Sequence, residues 1–147
     1  TTYLTKKAVG GGNLIIMGES PAKTLAATEA AVEAMRMVPD VIMPFPGGIA
    51  RSGSKVGSKY KGASASTNDL YCPTLKGAVD SVLSPEIASV LEIVIDGLTS
   101  EAVANAMRAG LAAIIELGPE HRALRVGAGN YGGKLGRHHY HLKDLLP

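Results

Sequence analysis

Tryptophan is absent from this 147-residue sequence, Phe45 is the lone phenylalanine, and aromatic residues make up 4% of it. Platforms for stacking unpaired bases are therefore scarce, which argues against nucleic acid as a partner. Charge argues the same way. Fifteen Lys and Arg against thirteen Asp and Glu leave a net +2, well short of the concentrated positive face of a strong nucleic-acid binder. A single cysteine, Cys72, cannot close an internal disulfide, so a reducing cytoplasm is the expected location. No apolar run is long enough to span a bilayer, no secretory leader opens the chain, and no membrane partner is expected. The first residue is Thr1 and not Met, which reads as a chain processed, trimmed or cut from a longer one.

What is present suits a globular domain: 46% hydrophobic and 19% charged residues, with a length that fits one domain or one lobe of something larger. The chain reads as a single domain over residues 1–147. Asn13-Leu14-Ile15-Ile16-Met17 is a short apolar run between glycines, hence a buried strand. Ser20-Pro21 is an N-cap followed by a proline at the first helical position, and Leu25, Thr28, Val32 and Met35 share one helical face. Val41-Ile42-Met43 begins a second strand that Pro44 and Pro46 confine to an edge or break. Residues 47–89 are mostly irregular, with a helical turn expected at 85–89. Residues 90–96 form the clearest strand, with Leu91, Ile93 and Ile95 on one face and Val90, Glu92, Val94 and Asp96 on the other. Thr99 caps a second helix, marked by Val103, Met107, Leu111 and Ile114 and stopped by Gly118-Pro119. Residues 123–127 read as a fourth strand and 137–142 as a short fifth. The order predicts an α+β fold of the ferredoxin-like split β-α-β kind (βαββαβ), with a long inserted loop region and a short C-terminal strand.

Few motifs carry chemistry. Gly127-Ala128-Gly129-Asn130-Tyr131-Gly132 matches a dinucleotide fingerprint, but no helix follows to hold a pyrophosphate, so a tight turn is expected. His138, His139 and His141 lack the remaining ligands of a metal site, and a solvated terminal strand is the simpler account. Cys72 shows no neighbouring base and reads as a small buried residue. Between Asp40 and Asp69 there is no acidic residue, yet there are four basic ones, Arg51, Lys55, Lys59 and Lys61. Gly and Ser interleave with them, so the segment has the charge and donors of an anion site. A solvated loop fits its composition equally well. Glu92 lies mid-strand between Val90 and Val94. If that face is covered, desolvation suits it to proton transfer; if the face is open, Glu92 is a surface residue, which is the default on sequence alone.

Longer strings are more specific. Gly11-Gly12-Asn13 runs into an apolar strand and Glu19-Ser20. Pro44 to Ile49, Arg51-Ser52, Ser54 to Lys59, Ala65 to Asp69, Tyr71 to Thr74, Glu92 to Ile95, Gly97-Leu98 and Gly129 to Gly136 follow in order. Together these strings resemble the C-terminal half of the formylmethanofuran:tetrahydromethanopterin formyltransferases. The resemblance implies the second lobe of a two-lobe enzyme, without its N-terminal lobe. It implies a homotetramer, and in bacteria a subunit working with other formyltransferase/hydrolase subunits. The mild basicity here points to that bacterial subunit, because archaeal members are acidic. It also implies direct transfer of a formyl group between N-formylmethanofuran and N5 of tetrahydromethanopterin through a tetrahedral intermediate. Methanofuran and tetrahydromethanopterin would be coenzyme substrates, with no tightly bound cofactor and no metal. The family's active-site glutamate falls on Glu92. Arg51, Lys55 and Lys59 are candidates for gripping the anionic coenzyme tails, with Ser52, Ser58, Ser66, Thr67 and Asn68 as polar lining. A reading of another class is a non-catalytic assembly or substrate-binding lobe of a multi-subunit complex.

Overall fold

The sheet is organised by its two long strands. A computed structural model describes residues 2–51, 61, 68–118, 120, 123–129 and 137–146. Strand β1 (Val9–Gly18) pairs antiparallel with β4 (Ser89–Gly97), setting Asn13 against Val94, Ile15 against Glu92 and Met17 against Val90. On the other side of β1, β5 (Arg125–Gly127) pairs antiparallel with residues 15–17. The outer edge of β4 carries two short strands, β2 (Val41–Ile42) and β3 (Ala50–Arg51). The strand order is β2-β4-β1-β5, with β3 also on β4. Pro44 and Pro46 explain why this edge comes in two pieces. They supply no backbone donors, and the chain turns through a 3-10 segment at Pro46–Gly48, where Gly47 and Gly48 take φ of 68° and 82°.

Both helices lie on one face of the sheet. Ser20 Oγ accepts from the Lys23 amide at 3.3 Å and Pro21 opens α1 (Pro21–Arg36). Thr99 Oγ1 accepts from the Ala102 amide at 3.1 Å and starts α2 (Ser100–Glu116). Their apolar faces close on Leu14 and Ile16 of β1 and Ile93 and Ile95 of β4, forming the main core with Val32, Met35, Val103, Met107, Leu111 and Ile114. The expected stripe on α1 needs a correction. Leu25 is 42% exposed, and Thr24, Ala27 and Ala31 are buried in its place. The helix packs through small residues, and Thr24 and Thr28 donate their hydroxyls to carbonyls one turn earlier, those of Ser20 and Thr24, at 2.8 Å and 2.6 Å.

The opposite face of the sheet carries a smaller cluster. Ile15, Met17 and Val90 are covered by Leu83 and Ile87, with Tyr71 against them. The covering segment is the long excursion between β3 and β4. It contains 3-10 turns at Asp69–Tyr71 and Pro73–Leu75, and a simple turn at 85–86 in place of the expected helical turn. One cation ties it together. Lys76 Nζ donates to the carbonyls of Ser84, Pro85 and Ile87 at 2.9, 3.0 and 2.5 Å, which satisfies three acceptors with one charged donor.

Two ends differ from expectation. β1 begins four residues before Asn13. Val9 pairs with Gly97 and Gly12 with Ile95, so the strand carries one extra residue there, a β-bulge. Gly11 takes a φ of 89° at the bulge, and its amide donates to Asp96 Oδ1 at 2.9 Å. The expected C-terminal strand at 137–142 is absent. Residues 138–141 are irregular and Leu142–Asp144 is a 3-10 turn. A strand needs a ladder partner; this segment instead caps the helical core, burying Leu145 and placing Tyr140 Oη 3.0 Å from Ser100 Oγ. Among the described residues no helix is long and apolar enough to cross a membrane.

Candidate active site

Glu92 sits in the middle of β4, directly across from Ile15 on one side and Ala50 on the other. Alternation puts it on the face away from the helices, with Val90 and Val94. That face is partly covered, so Glu92 is half-buried. Loss of water around the carboxyl pushes its proton affinity above the ordinary value, and a hydrogen bond from Asn13 pulls against this. The Asn13 Nδ2 donor lies 2.6 Å from Glu92 Oε1. Asn13 is itself only 6% exposed, and its Oδ1 accepts from the Gly129 backbone N–H at 2.7 Å. A backbone amide just beyond β5, a buried carboxamide on β1 and a carboxyl on β4 thus form one chain across three elements. Such a carboxyl keeps its proton to higher pH than an ordinary glutamate and can release it to a base brought beside it.

Asn13 belongs to this site although no sequence motif assigns it a role. The available signal is its place: it is the polar first residue of the apolar run, on the same alternating face as Ile15 and Met17. Its partner Gly129 belongs to the glycine-rich match at 127–132, whose remaining residues from 130 onward lie outside the described set.

A cleft of about 770 Å³ opens beside this chain, lined by Lys7, Gly10 to Asn13, Met107, Gly129, Arg137, His138 and Tyr140 among others. It lies along β1 before Ile15, where β5 no longer pairs with the strand. Glu92 does not line it. Among the described residues, Asn13 lines the cleft and also touches the carboxyl, with Gly129 behind it. Its ionisable lining is Lys7, Arg137, His138 and Tyr140, which suits an anionic ligand.

The other candidate residues are distributed as follows. Arg51 is exposed in β3 and pairs with Leu91, one step from the Ala50–Glu92 pair, so alternation places it on the other face from Glu92. Asn68 is half-buried at the start of a 3-10 turn, and its carbonyl accepts from the Tyr71 amide at 3.2 Å. Ser52, Lys55, Ser58, Lys59, Ser66 and Thr67 lie outside the described residues. Among the described residues, no group of three or more His, Cys, Asp or Glu is placed to hold a metal ion. Cys72 is 2% exposed, with Sγ 3.2 Å from Thr74 Oγ1. A buried thiol with a hydroxyl neighbour packs as a small apolar residue. Cys72→Ser is therefore expected to keep most activity, losing about 1 kcal/mol of stability, as steady-state assays and thermal melts will show.

A family model described as "FTR, proximal lobe" matches residues 1–145. The chain is 63% identical over 139 residues to a subunit of the formyltransferase/hydrolase complex of Methylorubrum extorquens, covering 95% of this chain and 45% of that protein. It is 48% identical over 145 residues to the formylmethanofuran–tetrahydromethanopterin formyltransferase of Methanocaldococcus jannaschii, covering 96% of this chain and 47% of that protein. The crystal structure of the formyltransferase/hydrolase complex from Methylorubrum extorquens with methylofuran superposes with a TM-score of 0.84 at 63% identity, over 94% of this chain and 45% of that one. The formyltransferase of Methanosarcina barkeri gives a TM-score of 0.82 at 41% identity, over 94% of this chain and 46% of that one. The chain spans about half the length of the relatives it matches. From residue 1 to 145 it belongs to the family of FTR proximal lobes.

Proposed function

We propose that this chain is one lobe of an enzyme that moves a formyl group between formylmethanofuran and N5 of tetrahydromethanopterin. The observation that carries the proposal is Glu92: half-buried, raised in proton affinity and gripped by Asn13, in a chain of the FTR family. The reaction asks for such a group. An amine attacks the formamide carbon, a tetrahedral intermediate forms, and protons move between two nitrogens. Glu92 hydrogen-bonds or protonates that intermediate and passes a proton to the departing amine. Transfer is direct, so positioning of the two coenzymes carries much of the rate.

The strand order, with β4 between β2 and β1 and with β1 between β4 and β5, supports a ferredoxin-like split β-α-β lobe. The higher identity to the formyltransferase/hydrolase subunit than to the Methanocaldococcus jannaschii enzyme supports the complex-forming type, with a second lobe and further subunits as partners. A homotetramer, with a cytoplasmic location for a chain whose one thiol is free and buried, completes the proposal. The second reading, an assembly or substrate-binding lobe, draws on the 45% coverage of the Methylorubrum extorquens relative: this lobe alone is expected to be inactive.

The basic segment supplies a test of substrate binding. Lys55→Ala and Lys59→Ala should raise KM for an anionic coenzyme by about tenfold each, with a smaller loss of kcat; a pure kcat loss at unchanged KM would remove them from the binding role. The function itself is tested by assaying the intact protein for formyl transfer between the two coenzymes. A properly folded assembly that transfers nothing would leave the assembly reading in place.

A further inference from the structure

An asparagine amide has a donor end and an acceptor end, and here the fold decides which end faces which partner. The Gly129 backbone N–H can only donate. It lies 2.7 Å from the amide oxygen of Asn13, so Oδ1 is committed to Gly129 and Nδ2 is turned toward Glu92, 2.6 Å from Oε1. Burial of Asn13 at 6% exposure leaves little room for another orientation. A carboxyl beside an N–H donor presents its unprotonated oxygen to that donor, because an O–H there would set donor against donor.

We infer that Asn13 is a positioning residue for Glu92: locked by the Gly129 amide, it holds the carboxyl in one orientation and confines its acidic proton to Oε2. The inference rests on the proposed proton-handling role of Glu92 for its effect on turnover, but not for the hydrogen-bond geometry. In the transfer step the Oε2–H bond breaks as the N–H bond of the departing amine forms. The charge left on the carboxylate is shared by both oxygens, and the Asn13 N–H, already in place, strengthens as a charge-assisted bond to Oε1.

The elements around Glu92 carry ionisable side chains of their own. β3 brings Arg51, across from Leu91. β4 itself carries Asp96, whose Oδ1 accepts from Gly11. The covering excursion brings Tyr71, against the cluster of Ile15 and Val90. β1 brings the uncharged Asn13 and Ile15. Among the described residues, burial and the Asn13 amide are what displace the Glu92 proton affinity.

The test is a direct titration of Glu92 in the intact protein, by carbon NMR of labelled glutamate carboxyls with Glu92→Gln for assignment. Wild type, Asn13→Ala and Asn13→Asp are compared. Asn13→Ala removes a donor that favours the charged form, so the Glu92 midpoint moves to higher pH. Asn13→Asp keeps an acceptor for Gly129 and the same shape, which protects the fold. It places a second acid against Glu92, so the two share a proton and the upper midpoint also rises. In Asn13→Ala, kcat falls about 10- to 100-fold while KM stays within about threefold, and the Glu92 limb of the pH profile follows the NMR midpoint. An unmoved Glu92 midpoint in the folded Asn13→Asp variant overturns the inference, as does an Asn13→Ala variant with wild-type kcat across the pH range. If Glu92→Gln were fully active, the functional reading would fall, while the midpoints would still report on the Asn13–Glu92 pair.

Discussion

Glu92→Gln should lower kcat for formyl transfer by about 10²–10⁴-fold, the usual worth of a positioned general acid or base, with KM for either coenzyme nearly unchanged. Glutamine has the same shape and presents an oxygen to the Asn13 amide, so packing and the hydrogen-bonded chain survive; only the transferable proton is lost. A Glu92→Gln enzyme with full rate at saturating substrates would sink the catalytic assignment. The same substitution should also raise stability at neutral pH. Burial lifts the folded-state proton affinity of Glu92 above the ordinary 4.5. Between 4.5 and the higher folded midpoint, the folded chain keeps a proton that the unfolded chain has released. Stability therefore falls as pH rises through that window, and the full penalty is present above it. Glutamine carries no such penalty. The variant should melt above wild type at about pH 7–8, and the gap should close as the buffer is acidified toward 4.5. Calorimetric melts across this range will show it, and a wild type that is the more stable at about pH 8 would mean that its carboxylate is well satisfied where it sits.

Gly12→Ala should destabilise the fold by about 1–3 kcal/mol, the usual cost of overpacking a close contact, or ~2–4 °C in Tm per kcal/mol for a chain near this size. Val103 of α2, fully buried, is the reason. One of its γ-methyls would overlap a Cβ at Gly12 of β1, and the other would stand 2.7 Å from a Cβ at Gly97 of β4. A valine in a helix has one strongly preferred χ1, so neither methyl can swing aside. Two strands and a helix meet on this one side chain, at glycines with no room to spare. Val103→Ala should therefore rescue Gly12→Ala, the added methyl filling the space the valine gives up. Chemical denaturation of the two single variants and the double should yield a favourable coupling of about 0.5–3 kcal/mol. Strict additivity would show that the strand moves away and the contact is soft. Because Asn13 follows Gly12, loss of register here should also lower formyl transfer.

Much of the fold is legible in the sequence because local signals agree with it. Ser20-Pro21 and Thr99 start helices where caps should, and the alternation from Val90 to Asp96 divides between the two faces of β4 as patterned. The departures have local causes. Size and hydrophobicity point Leu25 to the core, yet tertiary packing prefers the small Thr24, Ala27 and Ala31, which let α1 approach. Residues 137–142 carry a strand-like composition, but nothing in composition supplies a ladder partner, and the segment settles on the helices instead.

The site divides the same way. Sequence alone determined that a carboxylate stands mid-strand on an alternating face at Glu92, and resemblance to a family attached a chemistry to it. Only the tertiary structure decided whether that face is covered. Residues Tyr71, Leu83 and Ile87, which take no part in the pairing of β4, fold back over Ile15, Met17 and Val90. It also decided what touches the carboxyl. Asn13 is 79 residues from Glu92 and 116 from Gly129, and no periodicity encodes separations of that kind. Proton affinity depends on burial and on hydrogen-bond partners, and both are properties of the packed chain.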